Sequence, residues 1–264
     1  MKTKFMDRPI ISTIVLILII KLVPVPILNA VKEALGLPRP FVMVAYIIIC
    51  IAAYLVFLKK YKDQIGDRSL LKNLKKGLIM LLPISICGII MLILNNVPFN
   101  GTYSLPVVLL AILDGIEAGL SEELITRCLP LDNISRKYKD AKSMIKFMLI
   151  IAAVFGLLHL TNFLMGAAVS ATIWQVLYAM AVGVIFGAVY LRTGSVLALI
   201  IVHSFVDICA GIVPSANELV TTITQESGIY DILAYLIVIV VGCGFGFYYI
   251  RASKHEEIVE NYLK

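Results

Sequence analysis

The segment LPVVLLAILDGIEAGLSEELITRCL, residues 105–129, is a membrane-length apolar run that is interrupted by charged side chains. The charged residues are Asp114, Glu117, Glu122, Glu123 and Arg127. A charge at the centre of a membrane-spanning helix costs roughly 2.5–3.5 kcal/mol on insertion scales, whereas each aliphatic residue contributes only about 0.3–0.6 kcal/mol. The aliphatic residues cannot offset these charges, so the segment must find partners inside a bundle of helices.

Helical geometry separates the charges of this segment into two groups. Glu123 and Arg127 are four residues apart, so they share a helix face and can form an ion pair. Glu122 lies about 100° further round the helix and lacks that partner. Glu122 is therefore the carboxylate that we predict to carry chemistry. The alternative is a structural Glu123–Arg127 pair at the level of the lipid headgroups, with Glu122 pointing into an aqueous crevice.

The composition favours a membrane protein, because 60% of the 264 residues are hydrophobic, only 15% are charged, and the apolar runs are long. We predict an all-α, polytopic membrane helical bundle with about eight transmembrane helices. The predicted spans are Pro9–Ile27, Phe41–Leu58, Gly77–Leu94, Leu105–Leu129, Phe147–Met165, Thr172–Leu191, Val196–Val213 and Ile232–Ile250.

Basic residues collect in alternate loops, which explains the net charge of +6 by membrane topology rather than by nucleic-acid binding. Lys59–Lys76 and Arg136–Lys146 are rich in Lys and Arg, whereas Asn95–Ser104 and Pro214–Asp231 have neither. Because cytoplasmic loops carry the excess of basic residues, both termini are expected in the cytoplasm. The compact chain with basic loops looks like a multi-pass protein of a bacterial cell membrane, with the lipid bilayer as partner and no nucleic acid.

Other residues receive structural predictions. Lys21 is expected to extend to the outer interface, and a contact with substrate is the less favoured alternative. The second span, which includes Tyr54, is predicted to face lipid. Gly183 and Gly187 are four residues apart and are predicted to let another helix approach closely. His255 is expected to be solvated in a charged tail.

Two further spans contain polar residues that are expensive in hydrocarbon and therefore point to function. His159 lies in the fifth span, and Asn162 shares its helix face and is expected to orient it. In the seventh span, His203 and Asp207 are one helical turn apart on one face. The alternative for His203 and Asp207 is a buried hydrogen-bonded pair that only joins helices.

Glu122, His159 and His203 are predicted to lie at similar depths in the cytoplasmic half of the membrane, which suits a shared site. These three residues could hold a zinc ion with an open position for water. In the metal-free alternative, Glu122 is the general base for a water that His159 also holds, and His203 with Asp207 faces the oxyanion. The sequence has no His-Glu-x-x-His string of the kind found in soluble metalloproteases.

Three motifs together resemble the CAAX protease and bacteriocin-processing (CPBP, or Abi) family of intramembrane proteases. They are Glu122-Glu123-x-x-x-Arg127, Phe155-x-x-x-His159 and His203-x-x-x-Asp207, in the family's order and on separate apolar spans. The resemblance covers roughly residues 105–213. It divides the chain into N-terminal transmembrane helices at 1–104, a catalytic helical core at 105–213, and an outer loop, last helix and cytoplasmic tail at 214–264.

The resemblance implies that Glu122 and His159 activate water, and that His203 and Asp207 stabilise the oxyanion or complete the polar shell. The supporting residues are Glu123, Arg127, Phe155 and Asn162. Asp207 stands where the prenyl-protein processing branch has Asn. An ionised Asp is a poorer oxyanion donor, so this role requires that Asp207 be protonated or orient His203 instead.

The implied substrate is a membrane-associated peptide or a lipid-anchored protein, and bacterial relatives are associated with bacteriocin immunity or maturation. Two other classes remain open at this point. Intramembrane Glu, Asp and His also mark proton-coupled transporters or channels, although the sequence shows no internal repeat of the kind that many transporters have. The third class is a non-catalytic immunity protein of the membrane.

Overall fold

A computed structural model describes residues 8–65, 68–97, 103–212 and 227–263, and this part of the chain is helical with no strand. The α-helices are α1 (Pro9–Leu22), α2 (Pro24–Leu35), α3 (Arg39–Ile65), α4 (Leu74–Asn96), α5 (Leu105–Glu122), α6 (Leu129–Ser135), α7 (Ala141–Leu158), α8 (Val169–Thr193), α9 (Val196–Gly211), α10 (Ile229–Tyr249) and α11 (His255–Ile258). Most of the predicted outer loop Pro214–Asp231, and Lys2 and Lys4 near the N-terminus, lie outside the described residues.

Four shorter helical elements complete the described chain. A π-helix at Glu123–Cys128 joins α5 to α6, and a second one, Val259–Leu263, follows α11. The 3₁₀-helix His159–Met165 continues α7, and a short one at Ala252–Lys254 precedes α11. Glu123 therefore opens a π-helix, and His159 opens a 3₁₀-helix, so both residues lie where regular α-helix ends.

The predicted all-α polytopic bundle is confirmed. In the described part, six segments are long and apolar enough to cross a membrane: Pro9–Leu35, Arg39–Ile65, Leu74–Asn96, Ala141–Leu164, Val169–Thr193 and Ile229–Tyr249. The other two predicted spans differ from this pattern. Helix α5 carries several charges, and α9 has only 16 residues. Both nevertheless pack inside the bundle, against each other.

Most of the predicted spans have different bounds in the structure, and for two of them proline accounts for the local helix geometry. The fourth was expected to end at Leu129, but its helix continues through α6 to Ser135, because Pro130 occupies the first turn of α6, where the missing N–H is tolerated. The first was expected to end at Ile27 but extends to Leu35. It is broken at Val23, because Pro24 and Pro26 cannot continue an α-helical hydrogen-bond ladder.

Helix α8 lies at the centre of the bundle, where α7 and α10 pack against it, while α9 packs against α4 and α5. The predicted packing role of the glycines is confirmed. A Cβ atom at Gly183 would lie 2.9 Å from the Cα of Ala152 on α7, and one at Gly187 would meet Met148. On α10, a Cβ at Gly242 would lie 2.8 Å from the carbonyl oxygen of Ala181.

We expect Gly183→Leu to destabilise the protein by about 1–3 kcal/mol, because the new side chain would meet the backbone of α7 and overpack the contact. Gly244→Leu on α10 is the matched control, since a Cβ at Gly244 has no neighbour within 4 Å. The control should be neutral or stabilising through better helix propensity. Thermal unfolding in detergent measures both variants, and equal midpoints would refute this packing assignment.

The prediction that the second span faces lipid is wrong for one side of α3. Its buried residues recur at three- and four-residue intervals: Tyr46, Cys50, Tyr54, Phe57 and Tyr61. The other side, with Ile48, Leu55 and Val56, is exposed. Both faces are apolar in composition, so hydrophobicity alone does not distinguish the face that packs in the core from the face turned outward.

Asp132 on α6 is completely buried and joins four segments of the chain. Its carboxylate accepts hydrogen bonds from Tyr54 at 2.9 Å, Tyr190 at 3.0 Å and Tyr262 at 2.8 Å, and it forms an ion pair with Arg68 at 2.9 Å. We call these five residues the Asp132 cluster. Because every partner is a donor, the buried negative charge is fully compensated.

The segment after α10 folds back onto the bundle instead of extending into solvent. Tyr262 is fully buried, and Glu257 forms ion pairs with Lys76 and with Arg192, the latter at 2.5 Å. Partial burial disfavours the ionised form, but the hydrogen bonds from the two cations outweigh it and lower the pKa of Glu257. The expectation of a solvated His255 is wrong, because it is half-buried and its Nε2 lies 3.2 Å from the Ile250 carbonyl oxygen.

Candidate active site

A buried chain of polar contacts links α9 to the π-helix that follows α5. Glu123 forms an ion pair with Arg127, as its spacing predicts, and both side chains are almost completely buried. The Nδ1 of His203 lies 2.6 Å from Oε1 of Glu123. An ionised carboxylate can only accept, so Nδ1–H of His203 is the donor. Oε1 of Glu123 therefore contacts both a cation and an imidazole, whereas its Oε2 is buried with no hydrogen-bond partner among the described residues.

The π-helix accounts for the position of this pair. All six of its residues are buried, and its turn is wider than that of an α-helix. Single π-turns inside α-helices occur frequently at functional sites. Here the π-helix begins directly after Glu122, so Glu122 and Glu123 project in different directions, one toward the partly exposed side and one into the core.

Aromatic rings enclose the buried side of the site. The guanidinium of Arg127 lies 4.9 Å from the ring centre of Phe155 and 5.5 Å from that of Phe186. The ring of Phe155 also makes edge contacts with His159 at 5.1 Å and with His203 at 6.3 Å. A single phenyl ring thus touches both imidazoles, so the two histidines that were predicted to share a site are brought together.

His159 is oriented by the backbone of its own helix. Its Nδ1 lies 3.0 Å from the carbonyl oxygen of Phe155, one helical turn earlier. Because a carbonyl oxygen accepts, Nδ1 carries the proton and Nε2 of a neutral ring keeps its lone pair. Asn162 was predicted to orient His159, whereas the hydrogen bond described for this ring is to the Phe155 carbonyl. The Asn162 amide donates to Gln175 at 2.7 Å instead.

Glu122 lies between two nitrogen groups from distant parts of the chain. Its Oε1 is 3.1 Å from Nζ of Lys21 on α1, and its Oε2 is 3.8 Å from Nε2 of His203. The side chain of Glu122 is 20% exposed, whereas that of Glu123 is 0% exposed. Of these two adjacent carboxylates, only Glu122 can therefore be reached from outside the bundle.

Asp207 completes the polar group, one helical turn beyond His203. Its Oδ2 lies 3.5 Å from Nε2 of His203, and its side chain is one-third exposed. Nε2 of His203 therefore faces two carboxylates, Glu122 and Asp207, while Nδ1 is held by Glu123. The partly exposed carboxylates of Glu122 and Asp207 therefore lie on the accessible side of His203, and the buried carboxylate of Glu123 lies on its other side.

The side chains as arranged do not fit the zinc alternative. The described residues include no group of three His, Cys, Asp or Glu side chains positioned to hold a metal ion. The ammonium of Lys21 already lies against Glu122, and a positive side chain at this point would repel a divalent cation. Glu122, His159 and His203 are therefore not arranged as a set of zinc ligands.

The structure is a polytopic helical bundle that brings Glu122, His203 and Asp207 together in its interior. Residues 104–209 match the family model described as Rce1-like, type II CAAX prenyl endopeptidase. This match confirms the predicted resemblance to CAAX proteases over these residues. Comparisons with curated proteins and with solved structures gave no significant match.

The match to this family model supports a CAAX-type protease with a protein or peptide substrate and association with a membrane. It covers α5 to most of α9, and it therefore includes Glu122, His159, His203 and Asp207. Lys21 lies outside it.

Sequence reasoning missed several residues that shape this region. Lys21 was expected at the outer interface, but it is paired with Glu122 inside the bundle. Asp132 and Asn133 were not identified, although their polar side chains follow directly after the apolar residues Leu129–Leu131. Because these two polar residues continue a membrane-length apolar helix, their sequence position could have indicated that they are buried and have hydrogen-bond partners.

Proposed function

We propose that this protein is an intramembrane endopeptidase that hydrolyses a peptide bond in a membrane-associated peptide or a lipid-anchored protein. The observation that carries the proposal is the contrast between two neighbouring carboxylates. Glu123 is buried and held by Arg127 and His203, whereas Glu122 is accessible and has one oxygen facing the histidine. Glu123, which is held in place, is suited to orienting His203. Glu122, which is accessible, is suited to transferring a proton.

In this proposal Glu122 is the general base. A water molecule next to Oε2 gives one proton to the carboxylate while its oxygen bonds to the carbonyl carbon of the substrate. The same proton then passes from Glu122 to the leaving nitrogen as the C–N bond breaks. This double use of one carboxylate requires only that it reach both the water and the leaving group.

His159 positions the water in this proposal. Its Nδ1–H is held by the Phe155 carbonyl, so Nε2 is the free acceptor on the ring. An acceptor at this nitrogen fixes one hydrogen of the water and leaves the other for Glu122. The edge contact with Phe155 limits rotation of the ring. Pre-orientation of this kind reduces the entropy cost of reaching the transition state.

His203 and Asp207 face the oxyanion in this proposal. Glu123 holds Nδ1–H of His203, so its second nitrogen is directed at the accessible edge. A protonated Nε2 would donate to the negative oxygen of the tetrahedral intermediate. Asp207, 3.5 Å away, supports that protonated ring by its charge. This assigns orientation and charge stabilisation to Asp207, so it need not donate a hydrogen bond itself.

The proposed substrate is supported by the description of the matched family and by the distribution of basic residues in the loops. The family description names CAAX prenyl endopeptidases, whose substrates end in a lipid-modified cysteine and three further residues. The basic loops support a cytoplasmic location for the ends of α3, α6 and α8, with both termini on that side. A substrate anchored in the inner leaflet of a cell membrane would be presented to the bundle from that side.

The test uses purified protein in vesicles and an internally quenched peptide that ends in a farnesylated cysteine, two aliphatic residues and methionine. We expect fluorescence to rise and mass spectrometry to find the product that lacks the last three residues. Cleavage should survive a metal chelator. Loss of cleavage on chelation, with recovery on adding zinc, would replace the glutamate mechanism by a metal-dependent one, and absence of cleavage across a panel of prenylated and unprenylated peptides would contradict the proposal.

A further inference from the structure

The first helix contributes a positive charge to the candidate active site. Nζ of Lys21 lies 3.1 Å from Oε1 of Glu122, although 101 residues separate them in sequence. The two side chains are 18% and 20% exposed, so the contact is mostly shielded from solvent. A lysine within an apolar helix is expensive unless it is paired or reaches the interface. In this protein Lys21 points into the bundle and pairs with Glu122, the carboxylate that we propose as the general base.

A second polar contact, nearer the N-terminus of α1, fixes the position of Lys21. The amide nitrogen of Asn133, on α6, lies 3.1 Å from the Pro9 carbonyl oxygen, 3.0 Å from the Ser12 hydroxyl and 2.9 Å from the Thr13 hydroxyl, so its two hydrogens are shared among three acceptors. Asn133 is completely buried. Roughly 12 Å of α-helix separates Thr13 from Lys21. Helix α1 is therefore attached at two points to the continuous α5–π-helix–α6 segment, and the second point is Glu122.

The chain breaks its helical ladder immediately after this contact. Lys21 lies in the last turn of α1, Val23 is the junction, and Pro24 begins α2. No residue of α2 is buried, whereas α1 buries Ser12, Thr13, Ile17 and Ile20 on the side that carries its polar contacts. The packed part of the first span thus ends where Lys21 meets Glu122.

The charge of Lys21 has a direct chemical consequence for a general base. A carboxylate in apolar surroundings favours its neutral form, which cannot accept a proton from water. A neighbouring ammonium favours the ionised form and also fixes one oxygen, so that the other faces His203. Glu117, on the preceding turns of α5, is a second carboxylate within electrostatic reach of Lys21. The positive charge of Lys21 therefore also offsets the repulsion between Glu117 and Glu122.

We propose that Lys21 is a positioning residue of the peptidase, which keeps Glu122 ionised and directs its free oxygen toward the reacting water. This proposal rests on the proposed function of Glu122. It extends the functional site to the first helix, outside the segment that matches the family. Lys21 does not touch the reacting atoms and acts through Glu122.

The activity test compares Lys21→Met with Lys21→Arg on the farnesylated peptide. We expect Lys21→Met to lower kcat by about 10–100-fold, with little change in KM. This loss is smaller than that expected when the general base itself is removed. Lys21→Arg keeps the charge and should recover most of the lost rate. Lys32→Met on α2 removes a cation that has no contact with the site and should leave kcat unchanged. Wild-type kcat in Lys21→Met, or equal losses for Met and Arg, would overturn the proposal.

A stability test examines the same pair without any cleavage. The thermal midpoints of Lys21→Met, Glu122→Gln and the double variant form a double-mutant cycle. We expect the double variant to be less destabilised than the sum of the two single variants, because each single change leaves one charge without its partner. Additive effects would show that the two side chains are not coupled and would overturn the proposal. If the cycle shows coupling while wild type cleaves no peptide, only the proposed function has failed.

Discussion

Glu122→Gln is expected to abolish peptide cleavage while the protein remains folded. Glutamine keeps the size of the side chain and can still accept a hydrogen bond from Lys21, but it cannot take a proton from water. General base catalysis contributes typically 10²–10⁴-fold, so kcat should fall by about that factor. The measurement is initial-rate kinetics with the farnesylated peptide, together with the thermal midpoint of each preparation.

Two matched variants make this result specific. Glu33→Gln, at an exposed position on α2, should change neither rate nor midpoint. Glu123→Gln should lower both, because it leaves the buried Arg127 charge without its partner, a change that costs about 3–5 kcal/mol in comparable buried pairs. A fully active Glu122→Gln would remove the proposed mechanism. Equal destabilisation by Glu122→Gln and Glu123→Gln would instead favour a structural role for both.

Asp132→Ala is expected to cause the largest loss of stability among single substitutions in the described chain. It removes the common acceptor of three buried tyrosines and the ion-pair partner of Arg68. A buried charge left without its partner costs about 3–5 kcal/mol. Unfolding can be followed by the fluorescence of Trp174, the single tryptophan of the chain, which stacks on Tyr235 at 6.5 Å.

The control for Asp132 is Asp140→Ala. Asp140 caps the exposed start of α7 by accepting from the Ser143 amide at 2.8 Å, and loss of such a cap costs about 0.5–2 kcal/mol. Asp132→Ala should therefore unfold at a clearly lower temperature than Asp140→Ala. If the two midpoints agree, the Asp132 cluster does not stabilise the fold as we infer from its burial.

Contacts within one helix were predictable from the sequence. The spacing of Glu123 and Arg127, and that of His203 and Asp207, places each pair on one helix face, and the structure shows both pairs together. Polar residues in apolar spans also identified the helices that meet at the candidate site, because such residues need partners in a membrane. These predictions depend only on helical geometry and on the cost of charge in hydrocarbon.

Contacts between helices were not predictable in the same way. Lys21 and Glu122 are 101 residues apart, and no sequence periodicity relates them. Tyr54 was assigned to a lipid-facing helix, since the residues facing lipid and those facing the core are equally apolar. The pairing of Asn162 with Gln175 joins two different helical elements. In each case the partner depends on which helices are neighbours, and hydrophobic pattern carries little information about that.

The Asp132 cluster has a consequence for biogenesis of the protein in the membrane. Tyr262 follows α10 and so emerges from the ribosome after every helix of the described bundle, whereas Asp132 is inserted when only the first five have been made. The carboxylate at first lacks two of its donors, Tyr190 on α8 and Tyr262, and after α8 is made it still lacks Tyr262. The partly assembled helices therefore expose a polar group that a translocon or a membrane chaperone can shield. Arrival of Tyr262 then supplies the last donor of the Asp132 cluster and brings the α11 segment against the bundle.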